Sequence, residues 1–348
     1  RMIALRTDLR GSSQFLLIGL GVMIGSLLSQ REWQRTLTWL SIASLPICFL
    51  FFQEAITSDI PIALSSIKSI AKNNLNGFAS VNRFATLLVM ITMASWYSFL
   101  LNSKILIKGL CLIGAFGGYL LCIGTESRMA TWAVPISAFL AWLVMRLKGR
   151  GKKFLVLSIT LIIVLVTALV LWWYLGPNVR DNVYSDSNRL AAAGCWLSMM
   201  FTGNNRFIYG VGWSRKKLND LCFNIPNYDH TLGNLGHGHN TLAQMGGHHG
   251  ILGIIALLIL TILIARGLIR QQSSIHAILP LGLNGTTWPE MALGINLALF
   301  INALSTTIHH RSSVNQILIG LLAATALCVI KPTAPDAKSV NDVSDSPS

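Results

Sequence analysis

The chain has 348 residues and a formal net charge of +14, yet only 11% of its residues are charged and 53% are hydrophobic. Repeated apolar runs of about 17–25 residues exclude an ordinary soluble domain, because they match the length that a helix needs to cross a bilayer. The positive charge does not indicate nucleic-acid binding, since the basic residues gather in short loops and no nucleic-acid recognition motif is present. We therefore expect an all-α integral membrane protein.

Nine apolar runs predict transmembrane helices. They lie at residues 13–29, 36–54, 84–101, 105–123, 129–145, 154–174, 241–265, 288–304 and 314–330. These runs divide the chain into an N-terminal group of spans (1–174), one long loop (175–240), a C-terminal group of spans (241–331) and a tail (332–348). The tail is rich in Pro, Ser and Asp and is expected to be disordered.

Basic loops predict the orientation of the spans. Segment 146–153 carries five positive charges and no acid, which indicates the cytoplasmic side. Counting spans from it places loop 175–240 outside, and Arg266, Arg270 and the tail inside. Residues 1–10 then fall outside despite their arginines, a discrepancy that further spans ahead of residue 1 would remove.

Loop 175–240 is too long for a simple connection, which is typical of a functional segment. Asn188 followed by Arg189 predicts a helix cap and a short helix. Gly210-Val-Gly-Trp213 predicts a tight turn. Of the six cysteines, none forms a C-x-x-C pair or a metal-ligand spacing. Cys195 and Cys222 both lie in this loop and could pair in an oxidising compartment.

Several polar side chains are predicted to lie at helix starts on the outer side. The first turn of a helix offers unpaired N–H groups and the positive end of the macrodipole, which together attract anions. Arginines there could bind a diphosphate through paired hydrogen bonds. The simpler explanations are snorkelling for Arg83, a pair with Glu126 for Arg128 and a solvated loop position for Arg189. The candidates are Asn82, Arg83, Arg128, Arg189, His239 and Asn240.

His239 is the candidate general base, because a neutral imidazole at a helix start could take a proton from a hydroxyl. The simpler alternative is that His239 is a loop histidine hydrogen-bonded to the backbone. His237 is expected to support His239. His248 and His249 follow on the same predicted helix, where His248 would point away from His239 and lie about 13 Å deeper. We expect no metal site and no cofactor.

The order of these motifs along the chain resembles that in the O-antigen ligase and O-antigen polymerase superfamily of bacterial membrane glycosyltransferases. The resemblance covers residues from about 70 to 330. It rests on His239-Asn240 followed after nine residues by Gly250, which is similar to the family's HN-x9-G signature. Asn82-Arg83, Ser127-Arg128, Asn188-Arg189 with Trp196, and Gly210-Val-Gly-Trp213 add to it.

The resemblance implies about twelve spans with a large periplasmic loop, so nine visible spans suggest an N-terminal truncation. It implies a metal-independent, inverting transfer of a glycan from a polyprenyl-diphosphate donor to an acceptor hydroxyl, on the lipid A core in ligases. His239 corresponds to the catalytic histidine, and Arg128, Arg189 and more weakly Arg83 to diphosphate-binding arginines. The implied location is the bacterial inner membrane, with the active site facing the periplasm.

One departure from the family and two alternatives stay open. Many relatives carry an acidic residue just before the glycine, where this chain has His248 and His249. A polymerase of O-antigen or exopolysaccharide differs from a ligase only in its acceptor. A transporter of bicarbonate or another small anion is the alternative from a different class, although the charged residues cluster at one face and not at the midplane.

Overall fold

The computed structural model describes residues 16–57, 81–125, 127–147, 151–152, 155, 193–197, 199–201, 203, 205–212, 240–275, 288–303 and 313–330. Within these residues all regular structure is helical. Four helices are long and apolar enough to cross a membrane, namely Phe84–Leu101, Ile105–Gly124, Met129–Arg146 and Thr241–Arg270. This is the pattern of a multi-pass helical membrane protein.

The longer helices follow the predicted spans closely. We number the described helices α1 (Leu16–Leu27), α2 (Gln30–Thr57), α3 (Val81–Leu101), α4 (Ile105–Gly124), α5 (Arg128–Arg146), α6 (193–197), α7 (Arg206–Tyr209), α8 (Thr241–Ile275), α9 (Trp288–Ala303), α10 (Ser313–Ala323) and α11 (Thr325–Ile330). The predicted span 154–174 and most of loop 175–240 lie outside the described residues, as does the tail.

Helix α2 begins six residues before the predicted span because a capping box starts it. The backbone N–H of Ser29 donates to Glu32 Oε2 at 2.7 Å, and the N–H of Glu32 donates to Ser29 Oγ at 3.4 Å. The bond from the Ser29 backbone also holds the pKa of the Glu32 carboxyl below its usual value.

Helix α3 is the centre of the bundle, with α2, α4, α5 and α9 packed around it. Small residues allow the close approach of these helices. A β-carbon on Gly118 of α4 would lie 2.6 Å from Thr92 Oγ1, and one on Gly294 of α9 would collide with the hydroxyl of Tyr97. Asn302 of α9 donates to Thr86 Oγ1 at 2.9 Å.

Helix α8 joins this core differently. The main hydrophobic cluster includes it through Ile264, Ala265, Leu268 and Ile269, all in its second half. Only 17% of its most apolar window is buried, compared with 78% for α3. The first half of α8 instead packs against α7 and the 3₁₀ turn Met199–Phe201.

Candidate functional site

Asn240 starts α8 as its N-cap. Its Oδ1 accepts hydrogen bonds from the backbone N–H groups of Leu242 at 2.8 Å and Ala243 at 3.1 Å. Its carbonyl accepts the first helical bond, from Gln244 at 3.0 Å. The residue before Asn240 therefore directly precedes a helix N-terminus, as the sequence predicts for His239. His239 and His237 themselves lie outside the described residues.

Helix α8 is broken at Gly250. This residue has φ 65° and ψ −157°, a combination that is open essentially to glycine alone. A β-carbon there would also collide with the carbonyl oxygen of Ile208. The prediction of one continuous span over 241–265 was wrong in this respect, because Gly250 ends a first segment, residues 241–249, and a second segment follows.

The break receives part of the long loop, a contact that we call the docking contact. The N–H of Val211 donates to the carbonyl of Gly247 at 2.8 Å, and the N–H of Gly212 donates to that of His248 at 3.0 Å. In an unbroken helix these carbonyls would accept from residues 251 and 252. Gly210 and Gly212 both have positive φ, and a β-carbon on Gly210 would collide with the His248 backbone. The structure has a bend at Val211, whereas the predicted tight turn Gly210-Val-Gly-Trp213 stays a prediction, since Trp213 lies outside the described residues.

The side chain of His248 completes the docking contact. Its Nδ1 lies 2.8 Å from the carbonyl oxygen of Gly212, and its Nε2 lies 3.4 Å from Gln244 Nε2. Since a carbonyl can only accept, the imidazole proton is on Nδ1, and Nε2 accepts from the Gln244 amide. The Trp196 ring meets the imidazole edge-on, with the centroids 4.8 Å apart. His248 thus binds the loop to α8.

Two further glycines shape the surface on which the loop lies. A β-carbon on Gly247 would approach Trp196 Cε3 to 2.7 Å, and one on Gly246 would approach Met200 Sδ to 2.8 Å. Trp196 and Met200 are both buried. Bare helix backbone at these positions lets the large side chains of the loop pack flat against α8.

Cys195, next to Trp196, is buried and disulfide-bonded. The predicted partner, Cys222, lies outside the described residues. Cys48, Cys111 and Cys122 are free and buried in the bundle. Disulfides persist in oxidising compartments, so this bond is compatible with an external loop.

The structure gives the backbone positions of two of the predicted arginines, Arg83 and Arg128. Arg128 is the first residue of α5, after Ser127 as N-cap residue, and Asn82 and Arg83 lie in the first turn of α3. Short turns join α3 to α4 and α4 to α5, so α3 and α5 run in the same direction and start at the same end of the bundle. The side chains of these three residues, and all of Arg189, lie outside the description.

Sequence reasoning missed the docking role of His248, which it had only placed away from His239. Gly212 and His248 lie 36 positions apart in the sequence, so no local pattern indicates the contact. It also missed two buried polar groups. Glu290 in α9 is only 4% exposed and interacts with other groups of the chain. Gln244 Oε1, one turn after Asn240, is a buried oxygen that has no hydrogen-bond partner among the described residues.

Over the part of the chain that the structure describes, no three His, Cys, Asp or Glu side chains cluster as metal ligands would. The described site therefore consists of a capped helix start, a helix break and a loop bonded to that break. Neither the protein-family models nor the curated proteins that were compared with the chain give a match.

Proposed function

We propose that this protein is a membrane glycosyltransferase of the O-antigen ligase type, which moves a glycan from a polyprenyl diphosphate to an acceptor hydroxyl on a glycolipid such as the lipid A core. One observation carries the proposal. Two separate motifs of the resemblance, Gly210-Val-Gly and the glycine that follows His239-Asn240 after nine residues, pack against each other at the break in α8. Contact between two motifs that are separate in the sequence supports the resemblance.

His239 acts as the general base in this proposal. Asn240 caps α8, and His239 directly precedes it in the sequence. The positive end of a helix dipole would favour a neutral imidazole at such a position. The imidazole accepts the proton of the acceptor hydroxyl, whose oxygen attacks the anomeric carbon. The bond from that carbon to the diphosphate oxygen breaks, and the diphosphate leaves with the electron pair. A single displacement inverts the configuration.

The arginines would stabilise the leaving diphosphate. Arg128 and Arg83 lie in the first turns of two parallel helices, where backbone N–H groups add to the positive potential. Arg189 comes from the external loop. Charge-assisted bonds of this kind contribute about 1.5–3 kcal/mol each.

The test is transfer of glycan in proteoliposomes that contain a polyprenyl-diphosphate glycan and a lipid A core acceptor. His239→Ala should abolish transfer, while His237→Ala, the matched control in the same stretch, should retain measurable transfer. Both variants should be present at the level of the parent protein. Near-normal transfer by His239→Ala would refute the assignment.

Surface glycan in a deletion strain separates the ligase from a polymerase, the closest alternative. Loss of all attached polymer indicates the ligase, whereas retention of single repeats indicates the polymerase. Uptake of labelled bicarbonate by proteoliposomes without any glycan transfer would instead support an anion transporter.

A further inference from the structure

The loop segment that docks on α8 exposes a group of large apolar side chains. Phe201 is 72% exposed and Tyr209 is 66% exposed, and the Phe201 and Phe207 rings lie 5.7 Å apart. So many exposed aromatic side chains on so short a segment exceed what an aqueous surface usually carries. We call this group the aromatic patch; it comprises Leu197, Phe201, Phe207, Ile208 and Tyr209.

The depth of the patch follows from the geometry of α8. Arg266 and Arg270 are predicted to lie on the inner side, so a hydrocarbon core about 30 Å thick, or about 20 helical residues, would end just before Arg266 and begin near Gly246. The break at Gly250 would then lie about one helical turn from the outer boundary of the core. The carbonyl groups of Phe207 and Ile208 lie directly against Gly250. The patch would thus lie within about one helical turn of the boundary between acyl chains and headgroups.

The second segment of α8, which follows the break, also exposes apolar side chains. Leu252, Ile255 and Ile259 of α8 are between 43% and 50% exposed. Among the described elements, α7 packs on α8 and on the 3₁₀ turn Met199–Phe201. The docked segment therefore packs next to a stretch of α8 that exposes aliphatic side chains, as a lipid-facing surface would.

We propose that the aromatic patch lies in the headgroup–acyl boundary of the outer leaflet, so that the base of the long loop is a membrane-interfacial element. Its partner is the lipid surface. Aromatic side chains are enriched at this depth, where the Tyr209 hydroxyl can reach headgroups. This proposal does not depend on the enzymatic activity proposed above.

A photoactivatable phospholipid tests the native chain without substitution. The protein is placed in nanodiscs of phosphatidylethanolamine and phosphatidylglycerol that contain a diazirine lipid, and cross-linked peptides are identified by mass spectrometry. Peptides covering 197–209 should carry lipid adducts, as should peptides covering 252–263. Adducts on 252–263 without any on 197–209 would overturn the proposal.

Spin labels measure the depth. Nitroxides at Phe207→Cys and Tyr209→Cys are compared with Leu263→Cys in the core and Lys152→Cys in water, with the parent chain as the labelling background. Collision with oxygen relative to a water-soluble nickel chelate should fall between the two controls at both sites. A value equal to that at Lys152→Cys would show an aqueous loop. Low collision with both reagents would show that protein covers the patch; either result contradicts the proposal.

Discussion

Helices α3 and α8 are both apolar enough to span a membrane, but the more apolar of the two is the less buried. Helix α3 buries hydroxyl side chains such as Thr92, Ser95 and Ser98 among its neighbours. Helix α8 turns Leu and Ile side chains outward, for example Leu260 and Leu263. In lipid the apolar surface needs no shelter, so close packing and small or polar residues, not hydrophobicity, identify the core.

The largest expected effect is on the free energy of unfolding, when a leucine is truncated to alanine in α3 and, for comparison, in α8. Leu88 of α3 is fully buried, whereas Leu263 of α8 is 58% exposed. Leu88→Ala leaves a cavity and should lower the free energy of unfolding by about 2–5 kcal/mol. Leu263→Ala, the matched control, should lower it by less than about 0.5 kcal/mol. Unfolding in mixed detergent micelles measures both, and equal losses would contradict the comparison.

A local effect is expected at the break in α8. Gly250→Ala should add about 1–3 kcal/mol of backbone strain, to which the collision with the Ile208 carbonyl adds. The docking contact should open, so the amides of Val211 and Gly212 should exchange hydrogen faster, while the thermal midpoint of the bundle stays unchanged. Gly109→Ala is the control, since nothing lies near its β-carbon. Unchanged exchange in Gly250→Ala would argue against the break.

Substitution of His248 should have a smaller effect, which depends on its Nδ1 atom. His248→Ala leaves the Gly212 carbonyl without its imidazole donor, at a cost of about 1–3 kcal/mol. His248→Asn keeps an amide donor near the position of Nδ1 and should restore slow exchange at Gly212, whereas His248→Gln should not. Equal exchange in the Asn and Gln variants would show that the ring matters only by its volume.

Asn240 should give the smallest effect. Asn240→Ala removes the cap and should destabilise the start of α8 by about 1 kcal/mol. Asn240→Asp keeps the acceptor oxygen and should behave like the parent in hydrogen exchange over 241–245. If glycan transfer falls in Asn240→Asp while the helix start stays protected, the amide has a further role toward the substrate.

Much of the helical arrangement was predictable because apolar length alone determines which segments can span a membrane. The starts of α3, α4 and α5 lie within about three residues of the predictions, which is the usual uncertainty of such boundaries. The break at Gly250 was not predicted, since a glycine in an apolar run is usually tolerated within a helix. Whether Gly250 breaks the helix depends on the loop segment that packs against it.

The candidate site was predictable only in part. The helix start after Asn240 follows from the apolar run behind it, and the structure shows a helix that begins at Thr241 and is capped by Asn240. The contact between Gly212 and His248 could not be predicted, because it joins residues that lie 36 positions apart in the sequence. The grouping of His239 with Arg128 and Arg189 stays a prediction, since their side chains lie outside the described residues.

The docking contact also constrains the order in which the protein can be made. Val211 and Gly212 leave the ribosome before Gly247 and His248, so their N–H groups cannot reach these acceptors until the start of α8 has been synthesised. A chain that stops before residue 247 lacks the surface on which the loop lies. The docked segment, residues 205–212, therefore takes its final position only after the start of α8 has been synthesised.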